Sequence, residues 1–520
     1  MGRLFMVWWV ALLGGAFCAV GLGSVARAEP PECSLWDSDC YLDAAGEPRR
    51  ASRAYQRLHA RPEANHLRAL SEEVLFLGVG TGWYWLARKQ NLFDWDFPSA
   101  KERITAEAMR FDNNRYPVNF VLHPLSGSGY YATARHNDIG LLGSALYGLG
   151  HTIAWEYGVE FREKVSVNDL LFTPLPGITL GEFYSKLARY LNRPVGSASR
   201  LQKAVGWLLG PLRALHDVWD DSYGPVEGLR DELGYSAEVF HQFALKTGLA
   251  VQRSRTQGAL LAELCAAGRF VDVPAYRRPG HFRAVLRDAD FSRLSLCTRN
   301  GADGNWEFDL HGDTLLVGYF EQRIEPSGYG GGVLIGTSLG WRYRRVELPG
   351  FRDDVAVTEL PGLALEGLVT LPVGVITVST RVHPEFGGVY SASHESWEAD
   401  HPELIEKTTL ERHQYLYSFG GSAWLDLLFE SRWLHAGANV WAAYLNSKEN
   451  LDRDQEELTR DVRGDDVVLD FEGFARVFPW RGHGVFAELS AMTRWRRSRL
   501  ASYVTRLRLA RGALRIGVAF

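Results

Sequence analysis

The second half of the chain alternates between apolar and polar residues. From about residue 235 onward, runs such as 312–325 and 331–348 place hydrophobic side chains at every second position. Successive side chains of a β-strand point to opposite faces, so this period predicts strands with one apolar and one polar face. The runs are long enough to cross a membrane as tilted strands of roughly 9–11 residues. We therefore predict a mainly β fold class, with a transmembrane antiparallel β-barrel of about 12 strands over 236–520.

The connections and the last segment fit the same interpretation. Further alternating runs lie at 281–291, 365–382, 413–429, 431–447, 465–478, 482–496 and 501–511. The charged stretches 383–412 and 448–466 are interpreted as long solvated loops, whereas other strands follow one another through tight turns. The segment 510–520 alternates up to Phe520, and a barrel needs its last strand to pair with its first. We expect Phe520 to lie in the aromatic girdle at the periplasmic interface.

Residues 66–235 follow a helical period instead. Apolar positions at helical spacing predict helices over 66–90, 136–161, 177–193 and 198–221. A small-residue ridge on the second of them consists of Gly140, Ser144, Gly148 and Thr152, which would let another element approach closely. The helices are apolar for a periplasmic domain, so we expect them to pack in the barrel or beneath its mouth. A polar linker, 29–65, precedes them.

The first residues predict export. Arg3 precedes an apolar stretch, and small residues at Ala26 and Ala28 form a cleavage signal, so 1–28 is interpreted as a secretory signal peptide. An uncleaved anchor helix is the alternative. An even number of cysteines remains after cleavage, and an exported protein can form disulfide bonds. Cys33 with Cys40 could close a small loop, and the pair at 265 and 297 could bond or stay buried.

Charge and aromatic content narrow the class of partner. The net charge is −5, and removing Arg3 and Arg27 with the signal peptide gives −5 − 2 = −7. This charge and the lack of a basic stripe argue against nucleic acid. Aromatic residues make up 12% of the chain, with 17 tryptophans, and such rings collect at membrane interfaces. We expect outer-membrane lipid and the barrel-assembly machinery as partners, with an unknown small molecule or lipid as a possible ligand.

Ionisable residues among the apolar helices supply candidate chemistry. The catalytic candidates are His123, Glu156, Asp169 and Glu182. Buried charges are costly unless they are paired or functional, and two nearby carboxyl groups can supply a general acid. The alternative is a structural network in which Arg135 neutralises one of these carboxylates. We predict no metal and no cofactor.

Several short motifs in this region resemble a known family. They are His123–Pro124, Gly127, Tyr130, Tyr131, Ala134 and Arg135, Trp155–Glu156, Asn168–Asp169, Thr173–Pro174 and Gly181–Glu182. In order and spacing, roughly residues 110–185 resemble a family of bacterial outer-membrane proteins catalogued as domain of unknown function 3943. The resemblance implies an outer-membrane location and a downstream barrel, but no reaction. Motif residues interpreted as binding residues are Tyr130, Tyr131, Arg135, Trp155 and Asn168.

Three functions remain open from the sequence. The first is an outer-membrane β-barrel with a structural or transport-related role in the cell envelope. The alternative is an envelope enzyme that modifies a lipid or glycan through the His, Glu and Asp candidates, and an open porin is a third possibility. The segment 336–340 matches G-x-S-x-G around Ser338, but a nucleophile elbow needs a strand–turn–helix setting and this segment continues as a strand.

Overall fold

The computed structural model describes most of the chain between residues 40 and 520. The described residues are 40–43, 48–50, 63–87, 98–105, 107–112, 114–254, 258–274, 276–401, 408–448, 462–479 and 484–520. The predicted signal peptide, 1–28, and the predicted bond between Cys33 and Cys40 lie outside the described residues and side chains.

Most of the described helices precede the long strands. The helices are α1 (His66–Gly82), α2 (Ala100–Ile104), α3 (His123–His136), α4 (Leu141–Ala154), α5 (Asp169–Phe172), α6 (Pro174–Leu191), α7 (Arg200–Leu209), α8 (Pro211–Trp219), α9 (Ala392–Ala399) and α10 (Thr409–His413). Single π-helical turns extend α1 over Trp83–Ala87 and α4 over Trp155–Val159, and another, Val118–Leu122, leads into α3. Among these described helices, none combines the length and apolar character that crossing a membrane requires.

Local chemistry explains several helix ends. Ser199 caps α7 by accepting a hydrogen bond from the backbone N–H of Gln202, whose side chain accepts from the N–H of Ser199 in return. Proline has no N–H to donate inside a helix, and Pro211 accordingly begins α8 after a break at Gly210. The single helix predicted over 198–221 is therefore two helices, divided at Gly210 and Pro211.

The described strands are numbered in chain order. Four short ones are β1 (Cys40–Leu42), β2 (Pro48–Arg50), β3 (Met109–Arg110) and β4 (Val165–Ser166). The long ones are β5 (Phe240–Arg253), β6 (Gly258–Val271), β7 (Gly280–Leu286), β8 (Phe291–Gly301), β9 (Trp306–Ile324), β10 (Gly330–Leu348), β11 (Phe351–Leu371), β12 (Gly374–Tyr390), β13 (Tyr415–Glu430), β14 (Leu434–Lys448), β15 (Arg463–Val477), β16 (Val485–Leu500) and β17 (Tyr503–Ala519).

These strands close into an antiparallel barrel. In the described chain, twelve strands form the ring β5–β6–β8–β9–β10–β11–β12–β13–β14–β15–β16–β17, and β17 pairs back onto β5 with Leu514 opposite Leu249. The extra strand β7 pairs with the half of β9 that β8 leaves free. The predicted barrel, with about 12 strands, is confirmed. One predicted run, 365–382, is in fact parts of two strands joined by a turn at Pro372 and Val373.

The two ends of the barrel differ in their connections. One end carries the connections 391–414 and 449–462, and we call it the long-loop end. The opposite, short-turn end carries 325–329, 372–373 and 431–433. Outer-membrane barrels have short periplasmic turns and longer extracellular loops. The predicted loop at 383–412 begins later than expected, because β12 continues to Tyr390.

Charged side chains line the lumen. Arg293 of β8 reaches Asp426 of β13 across 3.0 Å, and Arg344 of β10 reaches Asp470 of β15 across 2.6 Å. Four strands separate the members of each pair in the ring, so these contacts cross the interior. Side chains alternate along a strand, and these pairs therefore identify the inner face of each strand.

The helices between His66 and Trp219, which we call the helical unit, lie on the outer face of this wall. On β13, Asp426 faces the lumen, so the odd-numbered Tyr415 and Tyr417 point outward. The amide Nδ2 of Asn119 donates to both hydroxyl groups, at 3.0 and 2.7 Å. The helical unit therefore contacts the outside of the barrel near the long-loop end.

The same arrangement holds at the short-turn end. Arg269 of β6 faces the lumen, where it binds Glu366 of β11 across 2.6 Å. Its neighbour Phe270 therefore points outward, and its ring lies 5.5 Å from that of Phe183 on α6. The helical unit thus follows the outer wall from one end of the barrel to the other.

An aromatic layer joins the helical unit to the wall. Its buried members include Tyr116, Phe120, Phe172, Trp341, Tyr343, Phe386, Tyr415 and Tyr417. The helices were expected in the barrel or beneath it, and this position is corrected. Ion pairs cross the lumen, and the apolar face of the helices instead packs against the apolar outside of the wall, where little desolvation of charge is required.

A disulfide bond joins neighbouring strands. Cys265 of β6 and Cys297 of β8 lie directly opposite each other and are bonded. Of the two possibilities left open for this pair, the structure therefore has the bonded one. Both cysteines line the lumen, together with the charged side chains described above.

Candidate functional site

Close contact between α3 and α6 sets the geometry of the candidate residues. A Cβ atom at Gly127 would lie 1.8 Å from the carbonyl oxygen of Thr173, and one at Gly177 would lie 2.5 Å from the carbonyl carbon of Gly127. Glycine is therefore required at this crossing, because any side chain would collide with backbone. The approach brings His123, at the start of α3, beside the segment that begins α6.

Several predicted residues meet there in one polar group near the long-loop end. We call it the outer polar cluster, and it consists of Asp112, Asn119, His123, Glu156, Ser166, Asn168 and Asp169. Asn168 is its hub: its Nδ2 donates to Asp112 across 3.0 Å and to Asp169 across 2.7 Å. Its Oδ1 accepts from the N–H of Asp112 across 2.7 Å. Asn168 is completely buried.

Glu156 joins the cluster through the backbone. Its Oε2 accepts a hydrogen bond of 2.9 Å from the N–H of Ser166, whose hydroxyl contacts Asn168 Oδ1 at 3.0 Å. The guanidinium of Arg103 lies near but donates to the backbone carbonyl of Glu156 and not to its carboxylate. The π-helical turn that contains Glu156 directs its side chain into the protein, where 1% of the residue is exposed.

His123 lies between a hydroxyl and a carboxylate. Its Nδ1 is 3.2 Å from Thr173 Oγ1, and its Nε2 is 3.5 Å from Asp169 Oδ1. A histidine placed in this way can pass a proton between the two groups, in the order used by nucleophile, base and carboxylate. The side chain of His123 is 20% exposed, so the outer polar cluster is reached from the surface at this residue.

Among the described residues, no lysine or arginine forms an ion pair with Asp112, Glu156 or Asp169. The one basic side chain of the described chain that pairs with Asp169 is His123, at 3.5 Å. Burial and mutual repulsion favour the protonated form of neighbouring carboxyl groups. Within the described ranges, no three His, Cys, Asp or Glu side chains converge as a metal centre requires.

Glu182 lies apart from the outer polar cluster. Its carboxylate receives two hydrogen bonds from Arg135, at 2.6 and 2.8 Å, and one from the Tyr131 hydroxyl at 2.6 Å. Asp288 of the barrel contacts the same guanidinium at 3.3 Å. The structural network proposed as the alternative thus exists around Glu182, Arg135 and Tyr131, while the other three catalytic candidates remain unpaired with arginine.

The remaining predicted binding residues serve other contacts. Tyr130 stacks on His151 with ring centroids 3.5 Å apart, and His151 Nδ1 lies 2.6 Å from Glu73. Trp155 donates its Nε1–H to Glu160 across 2.9 Å. Neither Tyr130 nor Trp155 contacts the outer polar cluster.

Sequence reasoning missed four residues of this environment: Asp112, Asn119, Ser166 and Tyr417. Asp112 and Asn119 lie in a segment of mixed polarity before α3, and their position among apolar residues is the signal that could have identified them. Tyr417 accepts from Asn119 and donates to Asp112 across 3.1 Å from a strand 305 residues away. No local pattern could have revealed that contact.

Ser338 lies on a strand, as its flanking sequence predicted. Its Oγ is 3.3 Å from Nε2 of His383, and the Nδ1 of that ring contacts the Leu360 carbonyl at 2.8 Å. Both side chains face the lumen and are at most 1% exposed. No strand–turn–helix elbow is present at Ser338, which lies within β10.

A family model matches part of the chain. The model, described as a domain of unknown function (DUF3943), matches residues 108–212, which include α3, α4, α6 and the whole outer polar cluster. This match confirms the resemblance identified from the motifs. A search of curated proteins found no match.

Several solved outer-membrane barrels match part of the chain at low similarity. The Acinetobacter baumannii outer membrane protein Omp33 is 11% identical, with 54% of this chain and 98% of that chain covered and a TM-score of 0.19. A Pseudomonas aeruginosa FadL homologue is 10% identical, with 55% and 90% covered and a TM-score of 0.21. The closed antiparallel barrel is shown by the strand pairing of this chain itself.

Proposed function

We propose that this protein is exported by its signal peptide, inserted into the outer membrane by the barrel-assembly machinery, and closed to diffusion. Its role is structural: the barrel holds the helical unit within the lipid layer. The observation that carries this proposal is the set of ion pairs between non-neighbouring strands, which occupies the lumen where a porin keeps an aqueous channel.

The lumen is crossed at several levels. Besides the three pairs already described, Arg494 of β16 binds Glu307 of β9 across 3.1 Å, and Arg496 of the same strand binds Asp353 of β11. Near the short-turn end, Gln242 donates to Glu430 across 2.5 Å. A solute that passed through the barrel would have to break these contacts in sequence.

The outer surface of the barrel carries the apolar side chains that contact with lipid requires. Away from the helical unit, exposed side chains on the barrel wall include Leu425, Leu427, Leu469, Phe471, Leu489, Leu514 and Ile516. The helical unit continues this apolar surface with exposed Leu75, Phe76, Leu142, Leu146, Leu149 and Leu208. Since the unit packs on the same wall from end to end, lipid that surrounds the wall also surrounds the helices.

Single-channel recording tests the closed lumen. Purified protein in a planar bilayer should insert without conductance steps, whereas a porin of similar strand number would give regular steps. As a positive control, the double variant Arg344→Ala, Arg494→Ala should raise the current, because it removes bridges at two levels. Regular large steps from the unmodified protein would refute the closed barrel.

Spin labels test the lipid contact of the helices. Labels at Leu142 and Leu146 should be relaxed by oxygen, which concentrates in lipid, more than by a water-soluble nickel complex. Ser327, exposed in the turn between β9 and β10, is the aqueous control and should show the opposite preference. A water-like response at Leu142 and Leu146 would contradict a lipid-facing helical unit.

One observation favours a second function, an enzyme that modifies an envelope lipid or glycan. The ring of His123 bridges Thr173 and Asp169, and the outer polar cluster around it is reached from the lipid-facing side. In this function His123 acts as base, and Glu156 and Asp169 support it. His123→Ala and Glu156→Gln should then abolish a change in envelope lipids or glycans, measured by mass spectrometry, while both variants still assemble. Glu182, which is paired with Arg135, does not belong to that machinery.

A further inference from the structure

The lumen contains a cavity of about 400 Å³ beside the ion pairs. It extends from the middle of the barrel, at Arg342 and Trp441, towards Gln242, Glu430 and His435 at the short-turn end. This volume is in the range of small-molecule pockets in proteins. The cavity belongs to the barrel and lies on the opposite side of the wall from the outer polar cluster.

Arg342 is held in a fixed orientation at this cavity. Its guanidinium carbon lies 4.1 Å from the ring centroid of Trp424 and 4.3 Å from that of Trp441. His311 stacks on Trp424 with centroids 4.4 Å apart, which fixes that indole in turn. Arginine placed over aromatic faces keeps its donors in one plane and loses little freedom when it binds a ligand.

No carboxylate of the described residues lies within ion-pair distance of Arg342, although Asp309, Asp470 and Glu359 act on its charge from further away. Arg342 is 4% exposed, its Nε has no hydrogen-bond partner, and it forms no ion pair with any residue in the described part of the chain. Arg344, two positions further on the same face, binds both Asp309 and Asp470, at 2.8 and 2.6 Å. The difference between these two arginines is the feature that needs an explanation.

The carboxylates nearby are already engaged by other partners, and Glu359 accepts a hydrogen bond of 3.0 Å from the Nε1–H of Trp424 and lies 3.4 Å from His311. Asp470 also accepts from Arg494 across 3.1 Å, and Asp426 accepts from Arg293. An unpaired buried guanidinium is costly, and such groups are retained where they bind an anion. The planar fork of arginine matches the oxygens of a carboxylate or a phosphate group.

We propose that the luminal cavity binds a small organic anion, whose carboxylate or phosphate group is received by Arg342 between the two indoles. The ligand enters from the short-turn end, towards which the cavity extends. The site does not depend on the closed-barrel role or on the lipid contact of the helices, so its failure would leave those proposals standing.

Calorimetry on the full-length protein in detergent tests the site. Inorganic phosphate and citrate are the probes, and glucose is the uncharged control at matched ionic strength. We expect saturable binding of at least one of the two anions and no binding of glucose. A comparison of phosphate with citrate distinguishes recognition of a phosphate group from recognition of a carboxylate. Arg342→Gln should weaken the binding at least about tenfold, and Arg342→Lys should weaken it less, because the charge remains without the planar fork.

Arg508→Gln is the matched control, because Arg508 is exposed on the outward face of β17. It should bind like the unmodified protein. If Arg342→Gln does not fold, the unmodified protein still decides the matter: the anion that binds should raise its unfolding midpoint above that in chloride of equal ionic strength. Absence of both binding and stabilisation, or equal binding by Arg342→Gln, would overturn the proposal.

Discussion

Arg293 and Asp426 meet across the lumen, with Nη1 of one 3.0 Å from Oδ2 of the other, although four strands separate them in the ring. Arg293 also binds Asp313 on the adjacent β9. One guanidinium therefore links neighbouring strands and braces the opposite wall, so the interior holds the barrel in shape as well as closing it.

Breaking this brace should lower stability. Asp426→Ala leaves Arg293 with Asp313 alone, and we expect a loss of about 1–2 kcal/mol in the free energy of unfolding, less than for a fully buried pair. Urea unfolding in detergent, followed by circular dichroism, measures the loss. Asp465→Ala is the control, because its partner Arg499 is exposed at the rim and such pairs contribute about 0–1 kcal/mol. Equal losses in both variants would contradict the cross-lumen brace.

The crossing of α3 and α6 should not tolerate a methyl group. Gly127→Ala places a Cβ against the Thr173 carbonyl, so the helices must separate, at a cost of about 1–3 kcal/mol. Gly129→Ala on the same helix meets no atom within 4 Å and is the matched control. Thermal unfolding compares the two variants. A midpoint for Gly127→Ala equal to that of Gly129→Ala would show that the helices do not cross at this point.

Contact between the helical unit and the wall has its own test. In Gly388→Ala the new Cβ would lie 2.1 Å from the Phe120 ring, so the ring must move and the unit should loosen. Limited proteolysis should then cleave the helical unit several times faster while the barrel stays intact. The control is Gly367→Ala, whose Cβ would meet its nearest atom at 4.0 Å. Unchanged cleavage in Gly388→Ala would place the unit elsewhere.

The described part of the connection 391–414, at the long-loop end, should become less stable at low pH. Burial lowers the pKa of His394 on α9 to about 4 from its ordinary 6.5, although its contact with the Gln414 carbonyl acts in the opposite direction. The unfolded loop therefore takes up a proton below about pH 6.5, while the folded loop stays neutral until about pH 4. Stability is complete above pH 6.5 and falls between these values.

Hydrogen exchange of the described residues 391–401 and 408–414 measures this effect. Exchange should accelerate as the pH falls from 6.5 to 4, after correction for intrinsic rates, and His394→Gln should reduce the dependence. A loop whose corrected protection is constant over this range would contradict a buried neutral His394.

Alternation along the strands was enough to predict the barrel, since polar residues must face the lumen and apolar residues the outside. The position of the helices was not predictable in this way. Tyr343, Phe386 and Tyr417 point outward and are apolar or aromatic, as they would be whether lipid or a helix covered them. No local sequence feature distinguishes a wall residue that a helix covers from one that faces lipid. The helices were therefore expected in or under the barrel.

The candidate residues separate for a similar reason. His123, Asn168 and Asp169 were predicted together and are together, because one short segment and one helix crossing bring them close. Glu182 was grouped with them, but it lies more than two turns further along α6, where Arg135 at the end of α3 reaches it. The partner of a carboxylate depends on how two helices align, and residue spacing within one helix does not contain that information.

Heat-modifiable migration in gels tests the central claim, a closed barrel in the outer membrane, most directly. Protein from isolated outer membranes should run faster before boiling than after it, because a closed barrel stays folded in detergent and unfolds only when heated. A single band at one position with and without boiling, together with recovery in the soluble or inner-membrane fraction, would contradict the account.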